Sequence, residues 1–213
     1  MIISFSGIDS AGKTTQIEML MAYCKENGIR AKRLWGKARG TPGVVFLKSL
    51  VRRDRKMSQE EKLEYRADFF QNRRKKKFLL VVSLLDLLWY FGIYYRMESL
   101  FYKITILDRY VWDTFIEVKT EFSGIDFEDW LLWKLVVLVA PKPKHSFLFV
   151  IPAEESFRRD VQKGDLTVDK IELKKEKIAL YMQLKDEGKW NHIMDGMKSR
   201  EGLHKSVLTI LKI

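Results

Sequence analysis

Short apolar runs alternate along the chain with longer segments whose apolar residues recur every three or four positions. The runs are rich in β-branched and aromatic residues and predict five strands. These are IISFS, AKRLW at 31–35, KITILDRY, HSFLFVI at 145–151 and NHIMD. Strands that alternate with helices predict an α/β fold with a parallel sheet covered on both faces, which binds ligands at the carboxyl ends of its strands.

The helical segments between these strands carry recognisable start and stop signals. The first extends from Lys13 to Gly28, and its apolar residues fall on one face. The sequence SQEE resembles a capping box and predicts a helix that begins at Ser58. Pro152 lies at the start of a later helix, and Gly188 ends the one after it. A C-terminal helix, SREGLHKSVLTILKI, completes the pattern.

The segment FLLVVSLLDLLWYFGIYY at 78–95 approaches the ~20 apolar residues that span a bilayer. Asp86 lies in its middle, where a carboxylate costs roughly 2.5 to 3.5 kcal/mol on insertion scales. A helix that is apolar all round is also typical of the centre of a soluble domain. We therefore expect a packed helix here and no membrane partner.

Composition adds bounds to this pattern. The 213 residues, 46% hydrophobic and 31% charged, predict a single domain over 1–213. The formal charge of +11 favours a partner with dense negative charge, such as a nucleic acid, an anionic lipid or a phosphorylated small molecule. The single cysteine excludes an internal disulfide, and the N-terminal MIISFSGIDS lacks a basic region, so we expect a cytoplasmic protein.

The stretch RRDRKMSQEEKLEYRADFFQNRRKKK forms a basic helical segment at about 52–77. Its charges are mixed in sign, which is typical of a solvated helix face. The alternative is an arm that contacts the phosphates of nucleic acid. The stretch lacks regularly interleaved aromatic residues, so we favour the solvated face.

The pattern G-x-x-x-x-G-K-[ST] is matched by Gly7, Gly12, Lys13 and Thr14, directly between the first strand and the first helix. Glycines let backbone N–H groups turn toward phosphate oxygens, and the helix N-terminus adds partial positive charge. Lys13 reaches the β and γ oxygens, while Thr14 ligates Mg²⁺. The pattern predicts a loop that binds a nucleoside triphosphate. Its expected binding residues are Gly7, Ile8, Asp9, Ser10, Ala11, Gly12, Lys13, Thr14 and Thr15.

Two further groups of charged residues follow predicted strands. In ILDRY, Asp108 ends a strand expected beside the first one and is placed for Mg²⁺, while Arg109 could bind a phosphate through two hydrogen bonds. The alternative is an ordinary ion pair at the strand end. In FRRDVQKGD, Arg158, Arg159 and Lys163 could neutralise a transferring phosphoryl group when a lid closes, or form a solvated helix face.

Four segments, taken together, resemble the thymidylate kinase family of nucleoside monophosphate kinases. They are FSGIDSAGKTTQ, LDRY, IPAEESFRRDVQKGDLTVDKIE and WNHIMDG. The resemblance covers nearly the whole chain and implies a three-layer α/β/α P-loop kinase with a central parallel five-stranded sheet. It also implies a lid segment at about 153–172. The last strand would precede the loop that contacts the adenine.

By this resemblance the reaction transfers the γ-phosphoryl group of ATP, with Mg²⁺, to the phosphate of an acceptor such as dTMP. Asp9 would lie near the acceptor. Ser10 and Ala11 leave the loop without the extra cation that some family members carry there, so the lid is expected to supply it. The expected catalytic residues are Lys13, Asp9, Arg109, Arg158, Arg159 and Lys163, and the expected metal ligands are Thr14 and Asp108.

The sequence departs from the family where the acceptor should bind. Lys37 in GKARGTPG stands where the family has a glutamate, and Asp86 or Leu87 stands where it has an arginine. A carboxylate near an acceptor phosphate weakens binding, so these residues suggest a different acceptor pocket. We expect the pocket to include Lys37, Arg39, Asp86, Arg109 and Tyr110, with Arg96, Trp112 and Asp113 as further candidates.

Alternatives to a nucleoside monophosphate kinase stay open at this point. One is a kinase of a nucleoside or another small metabolite, in which Asp9 could act as a base toward a hydroxyl group. Another is a nucleic-acid-binding or regulatory P-loop protein that uses the basic segment. The family also implies a homodimer through the apolar helix at 78–95.

Overall fold

A computed structural model describes residues 1–35, 72–164 and 169–213. Lys37, Arg39, the predicted helix at Ser58 and most of the basic segment lie outside the described residues. So do residues 165–168 within the predicted lid segment.

The strands of the described residues form one sheet in which all neighbouring strands are parallel. The strands are β1 (Ile2–Gly7), β2 (Ala31–Trp35), β3 (Ile104–Asp108), β4 (His145–Val150) and β5 (His192–Asp195). Their order is β2-β3-β1-β4-β5. The prediction of a parallel five-stranded sheet is confirmed, and so is the position of β3 beside β1.

The helices include two that the sequence pattern did not predict. In the part of the chain that the structure describes, the helices are α1 (Lys13–Glu26), α2 (Arg73–Trp89), α3 (Tyr95–Phe101), α4 (Val111–Glu121), α5 (Leu131–Val139), α6 (Ala153–Gln162), α7 (Ile171–Asp186) and α8 (Arg200–Leu211). A π-helical segment, Tyr90–Tyr94, joins α2 to α3. The unpredicted helices are α4 and α5.

Helix α2 begins five residues before the start of the apolar run. The reason is Asn72, whose side-chain oxygen accepts hydrogen bonds from the backbone N–H groups of Arg74 at 3.0 Å and Lys75 at 3.2 Å. This cap satisfies two of the N–H groups that a helix start leaves unpaired. The end of the basic segment is therefore the exposed first turn of the long helix.

The core lies around β1, β3 and β4, whose apolar side chains are buried from both faces of the sheet. Ile3, Phe5, Ile106, Phe147 and Phe149 are all inaccessible or nearly so. Phe5 lies between Phe147 and Phe149, with ring centroids 5.2 and 5.6 Å away. Helix α1 packs against α8, and α4 packs against α7. A rigid centre of this kind fixes the loops that follow β1 and β3.

The continuous helical segment Arg73–Phe101 is long and apolar enough to cross a membrane, by length and composition. A third of its most apolar window is buried in the protein. Leu80, Leu84 and Phe91 pack into the core, whereas Leu100 and Trp89 on other faces are exposed. The predicted packed helix thus buries one face and leaves an apolar surface beside α5, against which it packs.

Candidate active site

The loop between β1 and α1 has positive backbone φ angles of the kind found in phosphate-binding loops. Gly12 caps α1 with φ 93°, and Ser10 also has a positive φ of 58°. Gly7 has φ 133°, and a Cβ there would lie 2.3 Å from the carbonyl oxygen of Phe149 in β4. Glycine is therefore required at position 7 both by the backbone angle and by the neighbouring strand.

The Lys13 ammonium group is buried inside this loop. Its Nζ donates to the carbonyl oxygen of Gly7 at 2.8 Å and to that of Ile8. Desolvation, followed by the nearby Arg109 guanidinium, lowers the pKa of Lys13 to about 8. A lysine held on loop carbonyls at the start of a helix is ready to exchange these partners for phosphate oxygens.

A cavity of about 280 Å³ opens over the loop at the carboxyl edge of the sheet. It joins the phosphate loop to residues from β2, β3 and the region of α6. The residues that line it are Asp9, Ser10, Ala11, Gly12, Lys13, Thr14, Thr15, Arg33, Trp35, Asp108, Arg109, Asp160 and Lys163. The structure therefore brings the predicted loop, both residues of the aspartate-arginine pair and one predicted lid cation to one site.

Arg109 sits among acidic side chains at the end of β3. Its Nη2 donates to Asp9, and its Nη1 lies 3.9 Å from Asp113 and 3.7 Å from Glu117. Burial lowers the pKa of Arg109, but Asp9 and the other acidic groups outweigh it and hold that pKa above its usual value. Arg109 also has a positive φ of 74°, which directs the chain from β3 into α4.

Asp113 ties the start of the loop to two helices. Its carboxylate accepts hydrogen bonds from the Ser6 hydroxyl at 2.5 Å, the Gly7 N–H at 3.1 Å, the Tyr110 N–H at 2.9 Å and the Tyr181 hydroxyl at 2.7 Å. The side chain is fully buried behind the loop. The sequence suggested an acceptor-pocket role for Asp113, and the structure gives it this positioning role instead.

A second buried network, which sequence reasoning missed, holds the other side of the loop. The Ser10 hydroxyl donates to Asp160 on α6, and Lys174 on α7 donates to Asp160 at 2.5 Å and to Ser156 at 3.0 Å. The Ser156 hydroxyl in turn donates to the carbonyl oxygen of Asp9 at 2.8 Å. A serine with positive φ is costly by roughly 1 to 3 kcal/mol, and these contacts hold it in place.

The predicted lid cations differ in where they point. Lys163 donates to the Ser10 hydroxyl at 2.8 Å and lines the cavity. Arg159 donates to the carbonyl oxygens of Ser10 and Gly196, both at 3.2 Å. Arg158 contacts Glu155 and is directed toward solvent. The structure thus brings Lys163 and Arg159 to the loop and leaves Arg158 away from it.

Asp108, the predicted metal ligand, accepts both the Nε of Arg33, at 3.0 Å, and its Nη2 through the single oxygen Oδ2. Arg33 was not predicted as a site residue, and this contact is the ion pair that the alternative interpretation of ILDRY expected. Thr14 and Asp108 line the same cavity, and hydroxyl and carboxylate oxygens are the ligands that Mg²⁺ prefers. The described residues hold no group of three or more acidic, His or Cys side chains arranged to bind a metal ion by themselves. These donors fit Mg²⁺ that takes its remaining ligands from nucleotide phosphates and water.

Several of the predicted acceptor residues that the structure describes do not line the cavity. Asp86, on α2, is not among the described residues that line the cavity. Arg96 donates to the carbonyl oxygen of Val139 at 3.1 Å. Tyr110 is buried, with its ring edge-on to Phe91, and burial raises the pKa of its hydroxyl above the usual value. Among the described residues of the predicted acceptor set, Arg109 is the one that lines the cavity.

Several known proteins are similar to the chain over nearly its whole length. No family model matches the chain. A probable thymidylate kinase of Pyrococcus horikoshii is 27% identical over 99% of this chain and 95% of its own length. A probable thymidylate kinase of Pyrococcus abyssi is 25% identical, with the same shares covered. The thymidylate kinase of a Sulfurihydrogenibium species is 25% identical over 99% of this chain and 96% of its own length.

A phosphate loop at the centre of an all-parallel five-stranded sheet flanked by helices makes the fold that of a three-layer α/β/α P-loop kinase. Over nearly its whole length the sequence is thymidylate kinase-like. The chain is accordingly a thymidylate kinase-like enzyme of the nucleoside monophosphate kinase type.

Proposed function

We propose that this enzyme transfers the γ-phosphoryl group of ATP, with Mg²⁺, to the phosphate of a deoxynucleoside monophosphate such as dTMP. The observation that carries the proposal is the buried Lys13 ammonium group, held on the carbonyls of Gly7 and Ile8 within a loop that follows β1. The full-length likeness to proteins named thymidylate kinase supports the acceptor class.

On the donor side, the loop and the lid contribute different groups to the binding of ATP. Backbone N–H groups of the loop and the start of α1 bind the phosphates of ATP, and Lys13 moves from the loop carbonyls to their oxygens. Lys163, already at Ser10, then neutralises charge on the transferring group. When bound, Mg²⁺ would be held through Thr14 and Asp108 and would neutralise charge between the β- and γ-phosphates.

Asp9 and Arg109 act as a pair on the acceptor side. The Arg109 guanidinium compensates the carboxylate of Asp9, so an anionic acceptor meets less repulsion there. Asp9 is half exposed to the cavity and can accept a hydrogen bond from a hydroxyl of the acceptor. The buried Asp113 contacts both Arg109 and the N–H of Gly7 and so fixes the position of Arg109 relative to the loop.

The test is ADP release from Mg-ATP against a panel of nucleoside and deoxynucleoside monophosphates, with the free nucleosides as matched acceptors that lack the phosphate. Turnover with dTMP or dUMP and none with the nucleosides would support the proposal. Turnover with nucleosides would indicate the alternative metabolite kinase. The blank is Lys13→Ala, which removes the group that binds the β and γ oxygens.

A panel in which no acceptor stimulates turnover, although ATP binds, would contradict the proposal. Binding of DNA or RNA that falls steeply with added salt would then identify a nucleic-acid-binding P-loop protein instead. The two measurements separate a failed acceptor assignment from a failed enzyme assignment.

We further propose that the chain is a single cytoplasmic domain that forms a homodimer through its exposed apolar surface. The exposed apolar residues that could contribute are Leu85, Trp89, Met97 and Leu100 of the long helical segment and Leu138 of the neighbouring α5, all more than half exposed. Apolar patches of this kind mark contact surfaces in soluble proteins. A monomeric mass by light scattering at micromolar concentration would contradict the dimer.

A further inference from the structure

We propose that Arg33, oriented by Asp108, binds the phosphate group of the acceptor. The inference rests on the proposed function, because it assigns a residue to the acceptor side of the same site. Arg33 belongs to no part of the phosphate loop, the aspartate-arginine motif or the lid. It enters the cavity from β2, at the opposite side of the loop from α6.

The hydrogen-bond geometry leaves part of the guanidinium group available. Both contacts with Asp108 go to the single oxygen Oδ2, from the Nε and Nη2 of Arg33. A guanidinium carries five N–H bonds, so about three remain without an acceptor among the described residues. Two parallel N–H groups are what a phosphate oxygen pair accepts most strongly.

Exposure separates Arg33 from the other arginine of the cavity. The Arg33 side chain is 36% exposed, whereas that of Arg109 is 8% exposed and is surrounded by Asp9, Asp113 and Glu117. The buried Asp108 fixes the direction of the Arg33 side chain without covering it. Arg33 is therefore the better placed of the two arginines to contact an incoming anion.

The order of the strands assigns Arg33 to the acceptor rather than to ATP. Phosphoryl transfer is in line, so the donor and the acceptor approach the transferring group from opposite sides. The loop follows the central strand β1, and Lys163 and Arg159 reach it from the side of β4 and β5. Arg33 lies on the side of β2 and β3, where the second substrate has to enter.

The experiment compares Arg33→Met with a control on the same strand, Lys32→Met. Successive residues of a strand point to opposite faces, so Lys32 loses the same charge outside this cavity. The ligands are the monophosphate that gives the fastest turnover in the panel, dTMP in the expected case, and the matching nucleoside. Binding is measured by titration calorimetry on the full chain without ATP, so the result does not depend on turnover.

We expect Arg33→Met to raise the Kd of the monophosphate by about 10- to 100-fold, the range for charge-assisted hydrogen bonds. In Arg33→Met, the Kd of the nucleoside and the KM for ATP should change less than about 3-fold. In Lys32→Met, the Kd of the monophosphate should also change less than about 3-fold. An unchanged Kd for the monophosphate in Arg33→Met would overturn the proposal. So would an equal loss of ATP affinity, because Arg33 would then serve the donor side or the fold.

Arg33→Met leaves the buried Asp108 without its cation and could fail to fold. Arg33→Lys keeps the charge, but an ammonium group lacks the parallel N–H groups with which a guanidinium can bind Asp108 and a phosphate at the same time. We therefore expect an intermediate loss of monophosphate binding. Wild-type affinity in Arg33→Lys would overturn the proposal. If the wild-type protein turns over no acceptor, the proposed function itself fails, which the panel detects before any Arg33 variant is made.

Discussion

Two buried networks hold the phosphate loop from opposite sides, and they are opposite in charge. On the side of β3, the Arg109 cation is surrounded by the carboxylates of Asp9, Asp113 and Glu117. On the side of α6 and α7, the Asp160 carboxylate is held by the Lys174 ammonium group and the Ser10 hydroxyl. The loop is thus fixed between an arginine-centred and an aspartate-centred network.

Their exposure shows different roles. The arginine-centred network reaches the cavity through Asp9, whose side chain is 47% exposed. The aspartate-centred network borders the cavity at Ser10 and Asp160, but its ion pair is buried, because Lys174 is 1% and Asp160 7% exposed. A buried ion pair adds little stability compared with apolar residues, but breaking it is costly. The first network can respond to a ligand, while the second fixes the position of α6 and α7 against the loop.

The strongest test removes the common acceptor of the arginine-centred network. Asp113→Ala leaves the hydroxyls of Ser6 and Tyr181, two backbone N–H groups and part of the Arg109 charge without a partner. We expect the free energy of unfolding in urea to fall by about 3 to 5 kcal/mol, with loss of turnover. Asp129→Ala, which breaks a surface pair with Lys134, should change it by less than about 1 kcal/mol. Equal effects of the two variants would show that Asp113 is not a structural centre.

The aspartate-centred network is tested by Lys174→Met. The uncompensated Asp160 should lower the free energy of unfolding by about 3 kcal/mol. The double variant Lys174→Met/Asp160→Asn removes the buried charge and should recover part of that loss. Both proteins are compared by urea unfolding and by kcat. A double variant no more stable than Lys174→Met would contradict the ion-pair interpretation.

Lys163 connects the aspartate-centred network to the cavity, since it shares the Ser10 hydroxyl with Asp160. We expect Lys163→Ala to lower kcat by about 100-fold, the effect of losing one group that stabilises transition-state charge, with a smaller change in the KM for ATP. Arg158→Ala is the matched control, because Arg158 lies on α6, which Lys163 directly follows, and is directed away from the loop. A drop in kcat for Arg158→Ala as large as that for Lys163→Ala would remove this distinction.

The smallest expected effect is a dependence of ATP affinity on pH. The pKa of Lys13 is about 8 without nucleotide, and phosphates favour its charged form, so binding is coupled to proton uptake above that pH. The Kd for ATP should rise by no more than about twofold from pH 7 to 8 and by up to about tenfold per pH unit beyond it. Lys13→Arg stays charged, so its Kd should stay constant over the same range. Titration calorimetry from pH 7.0 to 9.5 measures both, and a constant wild-type Kd would contradict the assignment.

The sequence predicted those parts of the site whose residues are close together along the chain, and it did not predict contacts between distant residues. The phosphate loop and the aspartate-arginine pair are contiguous motifs whose spacing carries their geometry. Ser10 and Asp160 are 150 residues apart, and Lys174 stands in an amphipathic helix among other lysines, so no spacing indicated their contact. Arg33 resembled a polar strand residue because its partner Asp108 lies on a neighbouring strand.

The helices that were missed have physical reasons as well. Helix α5, LLWKLVVLV, is a nine-residue apolar run, too short and too uniform for periodicity to separate a helix from a strand. Helix α4 begins directly at the motif after β3, where Tyr110 and the buried Asp113 are fixed by tertiary contacts. The strands were predicted more accurately because parallel strands in the centre of a sheet are continuous apolar runs.

The crowding at Gly7 determines how a reference protein for these experiments should be built. Any side chain at this position would collide with the backbone of Phe149 in the sheet, so its replacement would disturb the core together with the nucleotide site. Loss of activity in such a variant would say nothing about chemistry. A folded protein that lacks activity should instead be made at Lys13, whose side chain can be shortened without moving a strand.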